Sequence, residues 1–554
     1  MLITFLINLF IAAIIIGYSF IFKLIISENK NVKIYNLDFI YGIFFITLIL
    51  ILVNYFTPIS TIKVPLVFLG LFLFFYGFFK KKIAIDYTYF LFFLLIFSVF
   101  TYYNSNNVDS PVYHIQTINW IHNHKITFGL AILDWHYALN SIWHILLAGL
   151  SLQYKDFNSI YVIAYIPFSF IFAESIKIKS SKELSHLTLF LCTSFLFFFS
   201  IIHPYKNGII FNHLGNPEVD TVGMIFFIAA SFIFIRYIET KNKDYFYLLI
   251  ISSVICPMLK LTYIGALLYP LIASYYHKQL NIMLFFNKTS IFSFFLFVFW
   301  SLRNLILSSC FLFPIKSTCI NSSWSLSDNQ VLFYLNQTKS FARDTTLRSR
   351  YTEFDYTIYS YDWILPWFKD YFVNDAFLNI TISIFILSLF LIFLIKLISK
   401  NQINSKTKFF LITTVIFYIT NFYIWFQAPE IRFGWGILLF FPCALLAMML
   451  IEMNFFKISF SKYIASSLII LSIMLVHKNL NNFNFLDLMK PFGKNFDYSQ
   501  IIEIMEVNDF KIYQSLNWQC ADFRGICINK PKKHYFIEKH KNYLFISTKD
   551  KKTN

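Results

Sequence analysis

The chain has 554 residues, of which 58% are hydrophobic and only 14% charged. A soluble protein devotes roughly a quarter of its residues to charge, so this composition excludes an ordinary water-soluble fold. The net charge of +17 does not mark a nucleic-acid binder, because its Lys and Arg stand in short runs between apolar stretches, where such residues set membrane orientation.

In chain order, windows of membrane-spanning length are expected near 2–22, 38–56, 64–79, 84–102, 158–175, 185–203, 221–237, 245–258, 260–276, 282–301, 375–397, 409–427, 433–452 and 463–476. The first, within MLITFLINLFIAAIIIGYSFIF, has no basic n-region and no small-residue cleavage site before Lys23. It reads as a retained span and not as a cleaved signal peptide. Basic clusters at Lys23 to Lys33, Lys80 to Lys82, Lys177 to Lys182, Arg236 to Lys243, Lys278 to Lys288, Lys396 to Lys408 and Lys457 to Lys462 are placed on the cytoplasmic side. A further apolar window at 137–153 would reverse the face of Lys177 to Lys182, so 110–153 is read as interfacial or re-entrant. The result is an all-α polytopic membrane protein of about 14 spans. Its sizeable outer segments are 103–153, 204–220 and 302–374, and a small α+β extracytoplasmic domain occupies 478–554 after the transmembrane domain of 1–477. In that tail HYFIEK and NYLFIST read as strands and IIEIMEV as a helix; no repeat and no Gly- or Pro-rich linker is visible. Cys310 and Cys319, then Cys520 and Cys527, fall as close pairs in outer segments and are expected to form disulfides.

The stretch NVDSPVYHIQTINWIHNHKI, residues 107–126, breaks a long run of hydrocarbon. Ile115, Ile118, Ile121 and Trp120 give an apolar face at helical spacing, as in a helix lying flat on a membrane. Asp109 stands at its start, with Tyr113 and His114 following; a second acidic group, Glu218 and Asp220, begins another apolar run. Read without chemistry, these carboxylates are hydrated helix caps. Read together, they line one outer cavity and serve as a general base or hold a divalent cation, Mg or Mn, between Asp109 and Asp220. Lys260, Arg303, Arg343 and Arg432 sit at outer span ends or in the large outer loop, where isolated cations are disfavoured and where guanidinium groups are suited to phosphate. Neighbouring carboxylates, Glu430 beside Arg432 and Asp344 beside Arg343, offer the plainer use. Acidic and phosphate-recognising groups at membrane level point to transfer from a lipid-linked phosphate donor, with the cations stabilising the departing anion. There is no Walker A, GxGxxG, HExxH or CxxC pattern, so neither a nucleotide loop nor a zinc site competes.

The segments DSPVYHIQTINWI, FGLAILDWHYALNSIW, NPEVD, KLTYI, LRNLILSSCFLFP, SFARD, APEIRFGWG and WQCADFRGIC run through most of the chain in order. With them the sequence resembles the GT-C superfamily of integral membrane glycosyltransferases, closest to a bacterial group of glycosyltransferase-like polytopic proteins. The resemblance implies a catalytic or metal-binding Asp109, an assisting Asp220, and Arg303 and Arg432 in RN-x-x-x-S and P-x-x-RF-x-x-G segments. Tyr113, His114, His136 and Glu218 then shape the sugar or acceptor pocket. His136 occupies the place where an Arg-containing stretch is expected, a departure that bears on donor or acceptor specificity. The implied activity moves a sugar from a polyprenyl-phosphate donor to a glycolipid, polysaccharide or protein acceptor at the periplasmic face of a bacterial inner membrane, among membrane lipid. Two other readings stand beside it: a polysaccharide polymerase or ligase, and a transporter or flippase, which would place ionisable groups near the bilayer midplane.

Overall fold

The computed structural model describes residues 2–27, 32–100, 109–154, 157–177, 183–202, 213–276, 286–344, 354–399, 405–453, part of 467–474 and most of 498–547. The expected span at 463–476 and the cluster Lys457 to Lys462 lie largely or wholly outside them, as do parts of the other basic clusters and of the 103–153 and 204–220 loops. The fold is mostly helical. Its principal helices are α1 Leu2–Ile26, α2 Phe39–Phe56, α3 Lys63–Phe79, α4 Tyr87–Phe100, α5 Ile115–Asn123, α6 Ile142–Leu150, α7 Tyr165–Ser175 and α8 Leu184–Ile202. They continue with α9 Asp220–Thr240, α10 Lys243–Leu259, α11 Tyr269–Tyr276, α12 Lys288–Ser308, α13 Asp328–Arg343, α14 Ala376–Ser399, α15 Ser405–Phe426 and α16 Ile431–Glu452.

Among the described residues, seven helices are long and apolar enough to cross a membrane, and four shorter apolar ones accompany them. Of the other expected windows, four correspond to those shorter helices and the one at 463–476 lies largely outside the described residues. The 260–276 window is not one helix: Lys260 is extended, Leu261–Leu268 is a 3₁₀ segment and only α11 is α-helical. The 110–153 region holds two nine-residue helices, α5 and α6, each about 14 Å long and too short to cross.

α9 is buried on every side, the signature of a helix at the centre of its bundle, and packs against α8, α10 and α16. At the periphery α1 packs on α2 and α3. A side chain at Gly17 would collide with the backbone of Gly70, so a small residue is what lets α1 and α3 approach.

The tail departs from expectation. IIEIMEV forms a strand, β1 Ile501–Val507, antiparallel to β2 Phe510–Ser515, which pairs in parallel with β3 Ile526–Ile528; β4 Phe536–His540 and β5 Tyr543–Ser547 make a hairpin. Seven residues are too few for periodicity to separate helix from strand, and a partner strand decides it. The described tail is thus β rather than α+β. It shares a core with the 130–133 segment and the end of α12, in which Ile512, Ile528, Ile537 and Ile546 pack with Leu130, Leu133 and Leu307. Phe128 bridges to Phe545 and stacks on its ring at 4.3 Å. Gly129 makes the adjoining turn at φ 72°, a backbone conformation natural to glycine. Cys310 is bonded to Cys319 and Cys520 to Cys527.

The charged groups gather at two ends of the bundle. At one end the Lys23 ammonium donates to Asp38 at 2.8 Å, Lys288 donates to the Ile25 carbonyl, and Ile34 donates to the Lys82 carbonyl. The Arg236 guanidinium lies 3.7 Å from Glu183 and Glu239, where α9 ends. The other end of α9, at Asp220, faces the 109–139 region and the tail.

Candidate active site

Four chain segments converge at that second end. A π-helical turn, Ser110–His114, leads into α5 and presents Asp109 just before it; such wide turns often mark functional positions. Asp220 begins α9, where the helix N-terminus favours a negative charge. Lys260 follows the end of α10, and Arg432 lies in the first turn of α16.

Arg432 is the hub. Its Nη1 donates to Asp109 Oδ2 at 2.6 Å, and its Nε lies 3.8 Å from Asp220 Oδ2 and 3.9 Å from Glu430 Oε1. The Lys260 ammonium pairs with the other oxygen of Asp220 and sits 3.6 Å over the Phe433 ring. Glu218 is fully buried, with Oε1 2.7 Å from His213 Nδ1, and His213 meets Trp435 edge-on. Phe341, from α13 in the 302–374 segment, lies 5.9 Å from the Arg432 guanidinium. The two aspartates are not equivalent: the Asp109 side chain is 30% exposed and that of Asp220 only 8%. Asp109 is not a helix cap, since no capping bond is made and its carboxylate reaches a residue 323 positions away.

Beside this cluster stands an aromatic wall. His136 is stacked between Tyr113, at 4.5 Å, and Trp135, at 3.9 Å, and Trp135 stacks in turn on Tyr334 of α13. Asp134 Oδ1 accepts from the His136 backbone N–H at 3.0 Å and lies 2.7 Å from His136 Nδ1. That contact fixes the ring and leaves Nε2 for other partners. Behind it His114 Nδ1 lies 2.9 Å from His144 Nε2. Burial pushes His114 well below the usual imidazole range, helped by neighbouring His144 and Arg432. Burial also takes His144 down to about 4, partly offset by the Pro217 carbonyl. Both imidazoles are therefore neutral at pH 7, one donating to the other. Burial, reinforced by Asp109, holds the Tyr113 hydroxyl well above its usual value, so it remains a neutral donor.

The geometry thus brings together Asp109, Asp220, Lys260, Arg432 and Glu218, with Tyr113, His114 and His136 alongside. Two expected phosphate ligands stand elsewhere. Arg303 is 3% exposed and donates to Asn140 Oδ1 at 2.9 Å and to Asn54 Oδ1 at 2.5 Å, tying α12 to α2. Arg343 donates to the carbonyls of Thr357 and Gln427 and covers Trp363 at 4.7 Å. Both are structural ties. The sequence reading passed over Asp134, His144, His213, Phe341 and Phe433. Only Asp134 carried a signal, a D-x-H pattern in which an Asp accepts from the second following N–H.

A divalent cation between Asp109 and Asp220 does not fit these residues. No group of three His, Cys, Asp or Glu converges on one point among the described residues. The guanidinium of Arg432 lies between the carboxylates, and Lys260 holds the remaining Asp220 oxygen.

Residues 1–439 match the family described as a domain of unknown function, DUF8201. No curated protein and no solved structure matches the chain.

Proposed function

The chain belongs to the DUF8201 family, and from its site we propose that it is a membrane glycosyltransferase of the GT-C kind. It moves a sugar from a polyprenyl-phosphate carrier to a glycan, glycolipid or protein acceptor at the outer face of a bacterial inner membrane. The observation that carries this reading is Arg432 held between Asp109 and Asp220, with Lys260 on the same Asp220.

The donor phosphate enters on Arg432 and Lys260, taking the guanidinium face that Asp109 occupies in its absence. Asp109, the more open carboxylate, is released toward the acceptor and takes the proton of its hydroxyl. The acceptor oxygen bonds to the anomeric carbon as the bond from that carbon to the phosphate oxygen breaks, and the electron pair leaves with the phosphate. Charge accounts for the coupling. Asp109 and Asp220 already hold Arg432 and Lys260, so an entering anion meets those carboxylates unless one is displaced or neutralised. Protonating Asp109 as the phosphate gains charge relieves that repulsion at the moment it grows. Asp220 stays in place and aims both cations. His136, fixed by Asp134 and flanked by rings, offers a stacking wall for a sugar.

A transporter would need ionisable groups along the path between the two ends. In α9 the stretch TVGMIFFIAASFIFI, residues 221–235, has none, and its charged ends lie about 28 Å apart. The test is Asp109→Asn in the native host, with surface glycans profiled and insertion verified. Loss or truncation of a glycan is expected; an unchanged profile from a correctly inserted protein overturns the reading. Substrate uptake by vesicles holding the purified wild type would favour the transporter.

A further inference from the structure

Away from the charged cluster lies an apolar groove of about 310 Å³, at the lower end of the volumes that hold small ligands. Its walls are the ends of two helices of membrane-spanning length: Tyr55 and Phe56 of α2, and Phe299, Leu302 and Ile306 of α12. Its roof is Phe128 with Tyr543 of the tail hairpin. Two hydrogen bonds among its lining residues tie the walls and roof together. Tyr55 Oη donates to the Phe299 carbonyl at 2.6 Å, joining the walls, and Tyr543 Oη donates to the Tyr55 carbonyl at 2.9 Å, pinning the roof. Phe56, 74% exposed, and Leu302, 37% exposed, carry the apolar lining out to the surface of the bundle. The Lys125 ammonium lies 3.8 Å over the Tyr543 ring, and no carboxylate pairs with it among the described residues.

We propose that this groove seats one acyl chain of an anionic phospholipid of the surrounding bilayer, with Lys125 meeting its headgroup. A groove of this size with an apolar lining suits part of an acyl chain. Phe56 and Leu302 bring the lining to the surface on two helices of membrane-spanning length, so a bilayer around those helices supplies the occupant. The Lys125 cation at the roof selects a negative head, as basic residues beside a bilayer surface do. The lipid then joins α2, α12 and the tail hairpin, and makes docking of the tail depend on the membrane. The groove shares no residue with the Asp109 cluster, so the inference rests only on the membrane part of the proposed function.

The full chain is purified in nanodiscs of phosphatidylglycerol and phosphatidylethanolamine, or of phosphatidylcholine, and retained lipid is counted by native mass spectrometry. One phosphatidylglycerol per wild-type chain is expected, preferred about fivefold over phosphatidylcholine, the ratio that one interfacial cation supplies. Lys125→Gln should bring that preference to about one while lipid is still retained. Ile306→Trp fills the groove and should lower retention by about tenfold or more, the weight of a few buried methylenes. Leu302→Trp, at the exposed mouth where a larger side chain is tolerated, is the second variant should Ile306→Trp fail to fold. Full retention in a folded groove-filling variant, or an unchanged headgroup preference in Lys125→Gln, overturns the proposal. So does a polyprenyl phosphate that displaces phosphatidylglycerol at equal concentration. Asp109→Asn, which disables the proposed transfer, should retain lipid as wild type does, so the two readings fail separately.

Discussion

Arg432 has three carboxylates within 4 Å of its guanidinium, from Asp109, Asp220 and Glu430. Replacing it with Leu leaves them facing one another. Breaking a buried ion pair costs about 3–5 kcal/mol, and the residual exposure of Arg432, 18%, puts the cost at about 3 kcal/mol. Arg432→Leu should therefore unfold well below wild type in detergent, and Arg432→Leu with Asp109→Asn should recover part of the loss. An equal melting point in Arg432→Leu would show that the cluster is not coupled to folding. The neutral pair His114–His144 makes a separate prediction. An imidazole whose pKa is lowered on folding contributes nothing unfavourable above its unfolded value, and destabilises as pH falls below it, because the unfolded chain binds the proton first. For His144 the window runs from 6.5 down to about 4, with a loss of about 2 kcal/mol by pH 5. His144→Asn should flatten the fall in melting temperature between pH 7 and 5; an identical slope would sink the assignment. At this scale Asp109, Asp220, Lys260 and Arg432 were legible because ionisable groups are scarce in an apolar chain. Arg303 and Arg343 carry the same outer-end signature, yet they anchor amides and carbonyls. A residue type states what a side chain can bind, and only packing states what reaches it.

At the scale of elements, α5 shows where pattern and fold part company. Its apolar stripe suits a membrane surface, but the polar face is not left wholly to water: Asn123 is exposed while Gln116 is covered by the tail. Gln116 is buried and its Nε2 donates to the carbonyls of Ala521 and Phe523 at 3.0 and 2.9 Å, while Ala521 N–H donates back to the Pro111 carbonyl at 2.8 Å. The tail thus clamps the turn that carries Asp109. Gln116→Ala leaves buried carbonyls without their donor, at about 1–3 kcal/mol. The expected readout is faster hydrogen exchange in 510–528 and at 109–114 together, with the distant α1 unaffected. Faster exchange in the tail alone would mean that it does not hold the site. Span positions were legible to within a few residues, as 2–22 against Leu2–Ile26 and 433–452 against Ile431–Glu452 show, because a continuous apolar run needs no partner to identify it. The β character of IIEIMEV was not, since only the pairing with β2 decides it.

For the molecule as a whole, the proposed function requires a direction. It needs the end bearing Lys23, Lys82, Arg236 and Lys288 to be the cytoplasmic one, as the positive-inside bias would have it, with Asp109, the tail and both disulfides outside, where disulfides persist. One argument rests on lysines and the other on cysteines, and both predict the same orientation. Labelling can test them in otherwise native protein, because Cys192, Cys256 and Cys443 are buried and the remaining four cysteines are bonded. Lys511→Cys, on the exposed surface of the tail, should react with a membrane-impermeant maleimide in spheroplasts. Lys243→Cys, exposed at the opposite end, should react only after permeabilisation. Labelling of both from outside would mean that the two ends do not lie on opposite faces of a bilayer. The reverse pattern would turn Asp109 and Arg432 toward the cytoplasm, where nucleotide-activated donors are available and a lipid-phosphate donor is no longer the chemistry that the location demands.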